Sequence, residues 1–280
     1  EVRAAAAFGI EIRAMDATAA AELAGPAREA AATWSRAVIG DLRDVTVTVP
    51  AGGCGRPGAP ELDLAVDDVV VLARVDSIDG PGGVLAAAGP CVVRTDGMPA
   101  VGTLVVDRAD LPRLAAQGKL RNVVKHELGH VLGIGTLWGR GGAGATNTAE
   151  GWRHVGARVR RTGAWFGLDQ PDAVGGVPLG DAWAAGMGHW SEYALTTELM
   201  TPMLGDGASP LSLLTVDALA DLGYAVSPAG AEPFAKYGAA SGPSAARLVA
   251  PGARTAPEPL HEAVHGAAYT IGADGRLIAR

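Results

Sequence analysis

The stretch HELGHVLGIGTLW, His126 to Trp138, decides how this chain is read. On a helix His126 and His130 stand four apart, so both imidazoles project from one face and can grip a single zinc ion at ~2.0–2.1 Å. Glu127, next to the first histidine, then faces the open side of the metal. There a carboxylate can take a proton from a water whose pKa zinc has lowered towards ~7. Val123, Val124, Val131 and Leu132 supply apolar faces for a buried helix, and Gly133 and Gly135 let the chain turn sharply away. A catalytic zinc needs three protein donors. Six positions after His130, where a third histidine or an aspartate is common, stands Thr136. The third donor must come from elsewhere.

Three residues compete for that place. Glu150 lies twenty positions beyond His130, a spacing used by thermolysin-like enzymes, but it follows the glycine-rich GRGGAGATNTAEGW instead of a helix. His154, in GWRHVGARVRR, has strongly basic neighbours, a poor setting for a cation, and reads with Glu150 as part of a solvent-exposed insertion. His189, in GHWSEYALTTELMTP, is followed eleven residues later by Met200, an order that points to a metzincin. A second HExxH, HEAVH at His261 to His265, has Pro257 and Pro259 before it, Gly266 after it and little periodicity. It reads as a solvated turn near the C-terminus.

Composition limits the other classes. The chain has 280 residues, 48% of them hydrophobic but only 5% aromatic, so Ala, Val and Leu must build most of one large core. A net charge of −7 and a pI near 5.4 argue against nucleic acid or an anionic membrane as the main partner. No run approaches the ~18 apolar residues of a membrane span. With Glu1 first and no signal-like segment behind it, the chain reads as a secreted protein whose signal peptide is already removed. Cys54 and Cys91 are the only cysteines, in AGGCGRPGAP and AAAGPCVV, with no CxxC or CxxH pattern. A disulfide between them is expected, closing a loop worth about 4 kcal/mol; two reduced cysteines in separate loops is the alternative.

Elements follow coarsely from pattern. FGIEIR alternates like a strand, and PAREAAATWSRAVIG reads as a helix with Pro26 in its first turn and Gly40 as its stop. VTVTV, VVVLARV and GTLVVD read as strands. From Gly139 to about Gly188 the pattern is loop-like. TVDALADLGY reads as a helix with Thr215 as N-cap and Gly223 as C-cap, and AAYTIGADGRLIAR as a terminal hairpin. A strand, a helix, several strands and then the metal helix suggest a sheet with helices on one face.

Taken in order, HELGHVLGIGTLW, GHWSE, ELMTP and LTVDALADLGY resemble the leishmanolysin family of metzincin zinc endopeptidases, in its compact bacterial form. The matching positions are His126, Glu127, His130, Gly133, His189 and Met200, and the similarity runs from about Phe8 to Ser227. The resemblance implies an α+β, zincin/metzincin-like fold. An N-terminal twisted mixed sheet would carry helices including the HExxH helix, and a C-terminal subdomain would carry the third histidine and the Met-turn. It implies a peptidase domain over residues 1–228, divided near 135; the tail over 229–280, Pro/Ala/Gly-rich with a possible terminal hairpin, lies outside the resemblance. It implies one catalytic Zn2+ on His126, His130 and His189, Glu127 as general base, and protein or peptide substrates. A non-catalytic zinc module for binding or adhesion, and a thermolysin-like enzyme using Glu150, are the competing readings. The cysteine-rich framework of protozoan and animal members is not carried over, because this chain has two cysteines.

Overall fold

The structure is a computed structural model, and it describes residues 7–139, 144–149, 151–168, 175–180, 187–205, 207–234, 258–260, 262–272 and 274–280. Its first half consists of β1 (Ile10–Ala14), α1 (Ala24–Ala37), β2 (Val45–Val49), β3 (Leu62–Val66), β4 (Val69–Asp76), β5 (Ala86–Val93), β6 (Pro99–Asp107), α2 (Leu111–Ala116) and α3 (Leu120–Val131). The second half holds β7 (Ala145–Thr148), β8 (Gly151–His154), α4 (Ala157–Trp165), β9 (Val177–Pro178), α5 (Glu192–Leu195), β10 (Met203–Leu204) and α6 (Leu213–Leu222). It ends in β11 (Glu258–Pro259), β12 (Glu262–Val264), β13 (Tyr269–Ile271) and β14 (Leu277–Ala279).

One mixed sheet organises the molecule, in the order β1-β4-β6-β5-β13-β14. The first three strands are parallel, and β5 is antiparallel to β6. Strands β4 and β6 are apolar on both faces because both faces are covered, the usual signature of central parallel strands. Along β4 the pleat separates two cores. Val69, Val71, Ala73 and Val75 face the cluster that contains α1 and α3, while Val70 and Leu72 face the β2–β3 hairpin.

Helix α1 opens after a π-helical turn, Ala19–Leu23, and stops at Val38, whose extended backbone breaks the repeat before Gly40 is reached. It packs on α3, and the Trp34 indole Nε1 donates to the Lys125 carbonyl at 2.9 Å, one residue before His126. Helix α6 begins one turn earlier than its sequence suggests. Ser212, not Thr215, is the N-cap, its Oγ accepting from the Thr215 amide, and Gly223 in the left-handed conformation closes the helix.

Cys54 and Cys91 are joined by a disulfide that ties the loop after β2 to strand β5. Converting both to alanine should lower stability by about 2–4 kcal/mol, as expected for a loop of this length. A fall in the urea midpoint is the reading expected, and an unchanged midpoint contradicts it.

Two regions differ from the sequence expectation. The insertion, expected as loop, contains a three-stranded sheet β7-β8-β9 and helix α4, which packs on α6. The N-terminus of α4 has no side-chain cap of its own; instead Asp221 of α6 accepts from the Arg158 and Val159 amides. The terminal hairpin β13–β14 forms as expected, but it extends the main sheet through β13 on β5, and β12 pairs with the same edge.

Candidate metal centre

Helix α3 carries His126, Glu127 and His130, all fully buried or nearly so. His126 Nδ1 lies 2.6 Å from the Leu199 carbonyl, and His130 Nδ1 lies 2.8 Å from the Ile134 carbonyl. A carbonyl can only accept, so each Nδ1 carries the proton and each Nε2 presents its lone pair to the same point. His189 arrives from the second half of the chain. The pairwise Nε2 separations are 2.9 Å for His126–His130, 3.2 Å for His130–His189 and 3.3 Å for His126–His189. Tetrahedral zinc with ~2.0–2.1 Å bonds sets its nitrogen donors roughly 3.3 Å apart, so the three rings fit the ion.

Close backbone approaches allow this convergence. Gly135, at φ +73°, packs so tightly that an added Cβ would sit 2.0 Å from the Gly188 carbonyl oxygen, one residue before His189. Gly129, between the two histidines, faces Met200: a Cβ there would lie 2.6 Å from the methionine sulfur. Met200 is fully buried and forms an apolar floor under the helix. The segment that carries it is held by Glu198, whose buried carboxylate accepts from the Met200 and Ser212 amides and from the Ser212 and Thr215 hydroxyls. Burial raises the Glu198 pKa against the opposing effect of those bonds. Thr215 also accepts from the Trp190 indole at 2.8 Å, which links the same network to the residue after His189. Thr136, six positions beyond His130, is not near the three Nε2 atoms: its hydroxyl donates to the His130 carbonyl and finishes the helix.

Of the other candidates, Glu150 lies outside the described residues. His154 does not join the cluster, nor is it exposed as its basic neighbours suggested. Its exposure is 0%, with the ring packed between Trp138 and Trp190. Burial drives its pKa down to about 3, so it is a neutral core residue.

The sequence reading missed Glu262. HEAVH is not a solvated turn. His261 lies outside the described residues, and His265 is exposed, but Glu262 points inward with only 3% of its side chain accessible. Its carboxylate lies 3.1 Å from the Nε2 atoms of both His126 and His130 and closer still to that of His189. His126, His130, His189 and Glu262 form a group compact enough to hold one metal ion. Pro257, Pro259 and Gly266 disfavour a helix but not a short edge strand, and nothing in the EAVH pattern itself marks Glu262 as inward-facing.

The two carboxylates differ in setting. Burial opposes the charge on Glu262, yet His189, His130 and His126 outweigh it and hold its pKa well below the ordinary range. Glu127 is shifted up, first by burial and then by the charge of Glu262. No N–H or O–H donor of the described residues other than the Glu262 carboxyl reaches its oxygens. Burying a carboxylate beside another carboxylate is costly, and such a perturbed group in a cluster of this kind is a candidate functional residue.

The leishmanolysin family model matches residues 54–139, from the first cysteine through α3 and HELGHVLGIGTLW. The chain is leishmanolysin-like. No curated protein matches it. Leishmanolysin-like proteins are zinc-dependent metallopeptidases acting on proteins, and that is the activity the family implies here. The matched stretch contains His126, Glu127 and His130; His189, Met200 and Glu262 lie beyond it. The disulfide is compatible with an extracellular location, and among the described residues no helix is long and apolar enough to cross a membrane.

Proposed function

We propose that this leishmanolysin-like chain is a secreted zinc endopeptidase of metzincin type, with His126, His130 and His189 as the metal ligands and Glu127 as general base. The observation that carries the proposal is the convergence of three Nε2 atoms beside the buried carboxylate of Glu127. Zinc held there would act as a Lewis acid, lowering the pKa of water and polarising the scissile carbonyl.

The chain's own groups do the rest. The Leu199 and Ile134 carbonyls fix the tautomers of His126 and His130, so that each neutral imidazole turns its Nε2 lone pair towards the ion. Glu127 accepts the proton of the attacking water and delivers it to the departing amine nitrogen. Burial, the first cause of its raised pKa, makes it a stronger base towards that proton than an exposed carboxylate. Met200 serves as the floor of the Met-turn, touching the helix without offering a bond to the ion. An extended substrate would lie along the outer edge of β5, which runs beside the three histidines. The peptidase unit proposed is residues 1–228, to which the last strands contribute an edge.

One observation favours a different reading. With Glu262 the centre has four protein donors, the number typical of structural zinc sites. A structural site has no use for Glu127, which is why hydrolysis is preferred. The test is casein hydrolysis by the chain and by its Glu262→Ala variant before and after treatment with phenanthroline. Cleavage should disappear on chelation and return with added zinc; cleavage that survives chelation, or its absence from both zinc-loaded forms, contradicts the proposal.

A further inference from the structure

We infer that residues 258–260 and 262–265 form an autoinhibitory strap, with Glu262 as a removable plug occupying the position that hydrolysis needs for water. This rests on the peptidase reading above and concerns how that same site is controlled.

The strap bridges the two walls of the centre. At one end β11 pairs antiparallel with β10, Met203 to Pro259 and Leu204 to Glu258, immediately after the Met200 floor. The Leu260 amide donates to the Pro202 carbonyl at 2.8 Å, and Leu260 itself is buried in the main core. At the other end β12 lies parallel on β5, with Glu262 opposite Ala86, Ala263 opposite Ala87 and Val264 opposite Ala88. The His265 amide continues the ladder to the Ala88 carbonyl at 3.2 Å. Between these anchors Glu262 reaches down to all three histidines.

Two requirements of peptide hydrolysis are blocked together. The backbone groups of β5 that an extended substrate would pair with are already paired with β12. The place on which the three Nε2 atoms converge, where water must enter, is taken by a carboxylate. Gly89 shows how close the fit is: a Cβ on it would lie 2.1 Å from the His265 carbonyl oxygen. Yet β12 is only three residues long and sits on an edge, so it can be withdrawn without breaking the central strands. A permanent fourth ligand has no need of such a dismountable support.

The test uses the full chain loaded with cobalt(II) in place of zinc, so that visible absorption reports the coordination sphere, and acetohydroxamate as a probe of an accessible metal. Glu262→Ala should keep one equivalent of metal and bind acetohydroxamate at least about tenfold more tightly than the parent chain, because apparent Kd scales inversely with the fraction of open sites. Gly89→Ala approaches the same point with Glu262 intact. Its methyl would press on the His265 carbonyl, displace β12 and shift the affinity in the same direction. Equal acetohydroxamate affinity in the parent and both variants overturns the strap. So does loss of metal from Glu262→Ala with an unchanged circular dichroism spectrum, since Glu262 would then be a permanent ligand. Tighter acetohydroxamate binding in the variants without peptide cleavage by any form supports the strap and removes the hydrolytic reading instead.

Discussion

Glu127→Gln should keep one zinc per chain while casein hydrolysis falls by about a hundred- to ten-thousand-fold, the usual weight of a general base. The comparison belongs in the Glu262→Ala background, so that the plug does not mask the loss. Glutamine matches the shape of glutamate but cannot accept the water's proton. The only hydrogen-bonding neighbour of Glu127 among the described residues is Glu262, which this background already lacks, so the exchange breaks no contact that holds the fold. It also removes a buried carboxylate whose charge burial disfavours, so a stability equal to the parent's or slightly higher is expected. A chain that cleaves at the parent rate would show that another group moves the proton.

Helix α3 was legible because its information is local. His126 and His130 are one turn apart, and the apolar residues around them repeat with the helix. The β2, β4 and β6 strands were legible for a similar reason: uninterrupted β-branched runs have few other uses. Strand β5 was not. AAAGPCVV carries glycine and proline at its centre and reads as a loop. In the sheet Pro90 sits at a register irregularity of the pairing with β6, where a missing N–H is tolerated. Missing β5 meant missing the edge on which β12 docks, and with it the meaning of HEAVH.

Glu262 illustrates the same limit from the other side. Three residues of strand cannot show a period, and their partner lies far away in sequence. His154 failed differently. Its arginine-rich neighbourhood suggested solvent, but Trp138 and Trp190, each remote in sequence, enclose the ring. Burial decided by distant partners is invisible to any local window. For His189 the residues alone left three candidates, and the family resemblance singled it out. The structure brings its Nε2 to the other two histidines.

His189→Ala should be the most damaging change at the centre. Loss of an outer partner of a metal ligand typically costs 10–100-fold in affinity, so loss of a ligand itself should cost more than about a hundredfold. The Glu262 carboxylate, already against the same three rings, could stand in as a third donor and hide the effect. The variants must therefore be compared in a chain that also carries Glu262→Ala. The measurement is zinc per chain after gel filtration. Close to one zinc is expected for Glu262→Ala alone, close to one when Glu150→Ala is added, and almost none when His189→Ala is added. Zinc retained without His189 and lost without Glu150 would contradict this expectation, and would place the centre with the thermolysin-like enzymes.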